Sequence, residues 1–176
     1  DTECVIGSGT VVDPREIMEG PYAGYSLMDE ESDIAWRLIN SLGTDQEADA
    51  KMEGKMPDDI LTRTGDESHT QQMKGLEAEE MTAAQRDDLQ ALVRAWVYNL
   101  NFALAEQEMQ KIEKAGIGKL HFAWAGEKGQ REAKYYRIHG PVTLIEYDNR
   151  SYEPWHIHSL WRNLSEDFGK EISMGK

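Results

Sequence analysis

At Gly118 the hydrophobic period of the chain changes from 3.6 residues to 2, and this change limits the fold more than any other feature. Ahead of it, Thr82-Ala-Ala-Gln85 has the form of a capping box, and Leu89, Leu92, Val93, Trp96, Leu100, Ala103 and Leu104 recur on one helical face. The spacing predicts a single amphipathic helix over 81–115, roughly 45 Å long at about 1.5 Å per residue. Gly116 and Gly118 supply its stop. Beyond them, Lys119–Ala125, Ala133–His139, Val142–Asp148 and Trp155–Trp161 alternate at period 2 and are rich in aromatic and β-branched residues. Their connectors, Gly126–Arg131, Gly140-Pro141 and Asn149–Pro154, are short enough for an antiparallel meander. The expected fold is therefore α+β, with N-terminal helices and one long amphipathic helix packed on a four-stranded antiparallel sheet over 119–162.

The remainder carries weaker patterns. Residues 1–28 lack a helical period and read as an extended lead-in with one short strand, then a loop through Gly20-Pro21 and Gly24. Over 29–53, Ile34, Ala35, Leu38, Ile39 and Leu42 form a helical stripe behind an acidic first turn, and Gly43 ends it. Thr44-Asp-Gln-Glu47 has capping-box form and opens a short second helix to Met52. From 54 to 80 the period is lost among Pro57, Gly65, Gly75 and many polar residues, which predicts a long surface loop. His69 reads there as a solvated histidine. Residues 163–176 form a polar tail with Phe168-Gly169 as an anchor. The whole, 1–176, is expected to be one domain or the C-terminal half of a larger one.

Charge and composition exclude several function classes. The formal net charge of −14 disfavours binding to nucleic acid or anionic lipid, both of which need a cationic surface. No apolar run approaches the roughly 18 residues of a membrane span. Cys4 is the sole cysteine, so an internal disulfide and a thiolate metal cluster are both excluded. The opening Asp-Thr-Glu-Cys shows no signal peptide, and an interior or processed start is expected.

Residues i and i+2 of a strand share a face. One consistent arrangement sets Ile138, Ile145, Tyr147, Ile157 and Trp161 against the long helix. The opposite face then carries Arg137, His139, Glu146, Asp148, His156, His158 and Arg162, with Leu144 as the apolar exception. One reading of this face is a solvated outer surface laced by cross-strand pairs such as Arg137–Glu146. The other is a site. His156 and His158, with His139 or Glu146, would ligate a divalent transition metal (zinc, copper or iron) and leave a position open for water or substrate. Glu146 could equally serve as general base, and Asp148 could orient an imidazole. Arg137 and Arg162 would grip the carboxylate or phosphate of a small anionic ligand. His121 alternates with Phe122 and Trp124 and reads as structural.

The ordered runs FAWAG (122–126), YYRIHGP (135–141), LIEYDN (144–149), HIHSLWR (156–162) and DFG (167–169) resemble the C-terminal half of a family known as a domain of unknown function, number three thousand five hundred. Upstream, GPYAGYSLMDEE (20–31) and DILT (59–62) are similar to that family as well. The resemblance implies a longer protein whose N-terminal half adds a further histidine pair, placed before the region matching Cys4–Val12. A second chain or the missing half would then complete a site built on His156 and His158. The resemblance also implies a secreted or periplasmic setting and brings no reaction with it. Two functions follow for test: a metal-dependent enzyme, hydrolase or oxidoreductase, and a non-enzymatic extracellular module in which Tyr135 and Trp155 of the same face contact a protein or glycan partner.

Overall fold

The computed structural model describes residues 17–62, 68–129, 132–149 and 157–165, together with the backbone of 7–12. The fold is α+β. In chain order it comprises β1 (Gly7–Val12), α1 (Asp29–Ser41), α2 (Thr44–Ala50), β2 (Leu76–Glu77), α3 (Ala83–Val97), α4 (Phe102–Ala115), β3 (His121–Gly126), β4 (Lys134–His139), β5 (Thr143–Asn149) and β6 (Ile157–Asn163). The strands β3 to β6 form the expected antiparallel meander. The sheet is nonetheless six-stranded rather than four-stranded, in the order β1-β6-β5-β4-β3-β2. Both additions lie at edges. β1 pairs with β6 from a glycine-containing segment of low strand propensity. β2 is two residues long, too short to display a period.

One face of the sheet meets the helices. Phe122, Trp124, Tyr136, Ile138, Ile145, Tyr147, Ile157 and Trp161 join Ile34, Leu38, Leu89, Val93 and Ile112 in a single buried cluster. Tyr136 stacks on Tyr147 with ring centroids 4.8 Å apart. The indole N–H groups of Trp96 and Trp161 find partners inside this core. Trp96 Nε1 donates to the Tyr136 hydroxyl at 2.9 Å, and Trp161 Nε1 donates to Thr143 Oγ1 at 3.0 Å.

The single long helix expected over 81–115 is two helices. Thr82 and Gln85 form the capping box that opens α3. The break falls at 98–101, where the Asn101 side chain accepts from Ala103 N at 3.0 Å and caps α4. The phase of the buried residues explains why a break is needed. Val93 and Met109 are 16 residues apart, so an unbroken helix at about 100° per residue would turn them about 160° away from one another. Restarting the helix lets both Val93 and Met109 face the core. At α2 the cap lies one residue earlier than expected: Gln46 Oε1 accepts from Gly43 N at 3.1 Å, and Thr44 is already helical.

The larger departure concerns the loop over 54–80. It does not run free over the surface. Residues 59–62 and 68–75 pass across the second face of the sheet, so the molecule has three layers: helices, sheet, and an irregular cover. Thr62 is fully buried in that cover. The expected tail anchor, Phe168-Gly169, lies outside the described residues, while Asn163 belongs to β6.

Candidate functional site

Strand alternation places the expected polar residues together on the covered face, with β4, β5 and β6 in register. Tyr135 stands opposite Asp148 and then His158; Arg137 opposite Glu146 and then Leu160; His139 opposite Leu144 and then Arg162. This face is not a solvated surface. Glu146 and Asp148 are 0 % exposed, Arg162 1 %, His139 2 % and Arg137 6 %. Charged groups this deep require compensation, and the cover supplies most of it.

Glu146 is the anchor of the cover. Its Oε1 accepts from Leu61 N at 2.9 Å and from the Tyr135 hydroxyl, and its Oε2 accepts from Thr62 N at 3.0 Å and from Thr62 Oγ1. Four donors fill the lone-pair positions of the carboxylate. Glu146 therefore has no lone pair left over for a metal or for a proton in transit, and in this geometry it docks the loop instead of acting as third ligand or base. Burial, then the neighbouring Glu146 charge, pushes the Tyr135 phenol well above its ordinary range, which keeps it a donor. Arg162 completes the clamp from the other side, with Nη1 donating to Thr62 O at 3.1 Å.

His139 and Arg137 form a second unit. Arg137 Nη2 donates to His139 Nδ1 at 2.7 Å and to the His69 carbonyl. Burial, together with the Arg137 and His121 charges, lowers the His139 pKa to about 4, against a raising hydrogen bond to the Gln72 backbone. The neutral imidazole thus has both ring nitrogens engaged. His139 and His158 also stand four residues apart along β5, by way of Leu144 and Asp148. At about 3.3 Å per residue that is about 13 Å along the strand direction alone. These two histidines do not converge on one ion.

The third unit is the one able to hold a metal. The clamp on Leu61 and Thr62 brings Asp59 over β6, where its Oδ1 lies 2.6 Å from His158 Nδ1 and accepts from Ile60 N at 2.8 Å. Asp148 is the cross-strand neighbour of His158. One ligand atom from each of Asp59, Asp148 and His158 lies within 4.8 Å of the other two. Asp148 is buried, whereas the side chains of His158 and Asp59 are 24 % and 21 % exposed, so the cluster opens to solvent on one side.

Of the residues expected at a site, Asp148 and His158 meet one another, Arg137 and His139 meet one another, Glu146 meets Tyr135 and the cover, and Arg162 donates to the cover at Thr62 O. His156 and Trp155 lie outside the described residues. Tyr135 is fully buried and is not available to a protein or glycan partner on this face. Asp59 was not among the expected site residues. Its signal was the DILT run (59–62), an apolar and hydroxyl-bearing interruption of an otherwise polar loop. Among the described residues no helix is long and apolar enough to cross a membrane.

A family profile described as "Protein of unknown function (DUF3500)" matches residues 9–170. No curated protein and no solved structure matches the chain.

Proposed function

The chain belongs to the DUF3500 family, and from that premise we propose that it is a metal-dependent enzyme whose centre is held by Asp59, Asp148 and His158. The observation that carries this reading is the convergence itself. Three potential ligands lie within 4.8 Å of one another although Asp59 and His158 are 99 positions apart. Two carboxylates and an imidazole suit a divalent metal of intermediate hardness, so zinc and iron fit better than copper. A metal there would supply Lewis acidity and a water that is acidic near neutral pH, and hydrolysis is the reaction class this favours. Oxidative chemistry is the alternative where the ion is iron. Within the chain, Asp59 and His158 hold the ligand positions, Asp148 contributes the buried negative charge, and Glu146 and Arg162 fix the backbone that carries Asp59. A secreted or periplasmic setting is part of the same proposal.

Metal content tests it. The purified chain, reconstituted with zinc, iron(II) or manganese and dialysed, should retain one of them near stoichiometrically. The Asp59→Asn/His158→Ala double variant should lose it while keeping its far-ultraviolet circular dichroism. Binding should also weaken as the pH falls, because imidazole ligates only when deprotonated. Failure of the wild-type chain to retain any metal, or equal retention by the double variant, would leave the Asp59–His158 contact as a loop-docking hydrogen bond and nothing more.

A further inference from the structure

Arg137 is a buried cation for which the described residues provide no anionic partner. Its residue is 6 % exposed. A guanidinium carries five N–H donors, and only Nη2 is engaged, by the His69 carbonyl and by His139 Nδ1, both of them neutral groups. Nε is buried without a hydrogen-bond partner. Glu146 faces Arg137 across the β4–β5 ladder, but its oxygens are taken by Leu61, Thr62 and Tyr135. An unpaired buried charge is among the most costly features a fold can contain. It persists where a group beyond the described residues completes it.

Space for that completion is present beside it. Arg137 lines a cavity of about 630 Å³ between the end of α2, residues 68–75 of the cover, and β3. That volume is in the range of small-molecule sites, about 300–1,000 Å³. Two small residues keep it open. Ala123 is the direct cross-strand neighbour of Arg137, so a longer side chain at 123 would project over the guanidinium. Gly75 has φ +110, and a Cβ there would lie 2.4 Å from the Phe122 carbonyl oxygen, so only glycine lets the cover approach β3 this closely. The side chains of the wall balance in charge, Lys51 and Lys74 against Asp49 and Glu53. Among the described residues Arg137 is then the cation without a hydrogen-bonded anion, and a single negative charge satisfies it. With the chain at −14, a multiply charged anion is disfavoured.

We propose that this cavity binds a small organic monoanion, with the ligand's carboxylate seated against Arg137. The cavity does not include Asp59, Asp148 or His158, so the proposal stands independently of the metal reading.

The test uses the whole chain in metal-free buffer at constant ionic strength. Sodium acetate, propionate and benzoate are titrated against a chloride reference, with inorganic phosphate and sulfate as separate arms. The readout is the Arg137 Nε–H resonance, visible because the group is buried, together with thermal stability. A saturable displacement of that resonance and a matching thermal stabilisation are expected from the carboxylates. Loss of a charge-assisted contact corresponds to roughly tenfold to hundredfold weaker binding, and that loss is expected in Arg137→Met. Ala123→Leu leaves the cation in place and fills the cavity, and it should weaken binding to a similar degree. The proposal is overturned by the absence of any saturable displacement, or by undiminished binding in Ala123→Leu. A response to phosphate and sulfate alone overturns the assignment to a monoanion. Repeating the titration with Asp59→Asn/His158→Ala should change nothing, and a loss of binding there would overturn the independence of the two sites.

Discussion

Substituting Glu146 by Gln tests whether one carboxylate holds the cover in place. The two side chains have nearly the same shape, so packing is kept and only the hydrogen-bond chemistry changes. In the native fold Oε1 takes Leu61 N–H and the Tyr135 hydroxyl, and Oε2 takes Thr62 N–H and the Thr62 hydroxyl. An amide replaces one acceptor by an NH₂ donor. Whichever way it turns, one hydroxyl can reverse and accept, but one backbone N–H is left facing a donor. An orphaned buried donor costs about 1–3 kcal/mol, and the remaining bonds lose the charge that strengthened them. The sum is about 2–4 kcal/mol, a large share of the roughly 5–15 kcal/mol that holds a domain together. Because the bonds tie a loop to a sheet, the expected result is local opening. Amide hydrogen exchange at Leu61 and Thr62 should accelerate by between about 30-fold and 700-fold, at about 1.4 kcal/mol per tenfold. Amides in α3 should change far less. Wild-type protection at both Leu61 and Thr62 would refute the argument that Glu146 docks the cover. An equal loss across α3 would refute the claim that the cover opens by itself.

The remaining predictions concern the neutral histidine and the helix break. His139 has a folded pKa of about 4, below the unfolded value of about 6.5. The unfolded chain therefore binds more protons between these values, and the stability contributed by His139 is complete above about pH 6.5 and is lost as the pH falls toward about 4. Protonation there would remove the acceptor for Arg137 Nη2 and set two cations side by side. Urea midpoints across this range should show a slope that His139→Gln reduces; an identical slope in the variant counts against the assignment. Asn101→Ala removes the cap of α4 and should destabilise the chain by about 1 kcal/mol. An unchanged thermal midpoint would mean that packing alone sets the break between α3 and α4.

How much of this was legible in the sequence depended on whether the deciding interaction was local. The period of 2 after Gly118 located β3 to β6, and alternation alone sorted Ile138, Ile145 and Tyr147 from Arg137, Glu146 and Asp148. The capping box at Thr82 and Gln85 is a contact across three residues and could be read directly. The helix break was harder to read. Asn101 is a favoured cap, yet Leu100, Ala103 and Leu104 continue an apolar stripe, and only the phase of Met109 and Ile112 against Leu89 and Val93 shows that one straight helix cannot bury both sets.

Alternation states which side chains share a face and is silent on what lies over that face. A row of Arg, His, Glu and Asp is the normal composition of a solvated sheet surface, so burial had to come from elsewhere in the chain. It comes from the segment with the least regular pattern, residues 59–62 and 68–75. Its fit to the sheet is carried by backbone amides and carbonyls, with Leu61 and Thr62 donating to Glu146 across 85 and 84 positions. Backbone groups are the same in every residue, so such a contact leaves almost no trace in composition or period. The consequence for function is specific. Once the cover is in place, the Glu146 carboxylate and the His139 imidazole are taken up in holding it, and Arg162 donates to it. The two proposals concern the groups at its margins, the Asp59–Asp148–His158 cluster and the Arg137 cavity. A face that looked like one site with seven ionisable residues is a docked loop with a separate opening on either side.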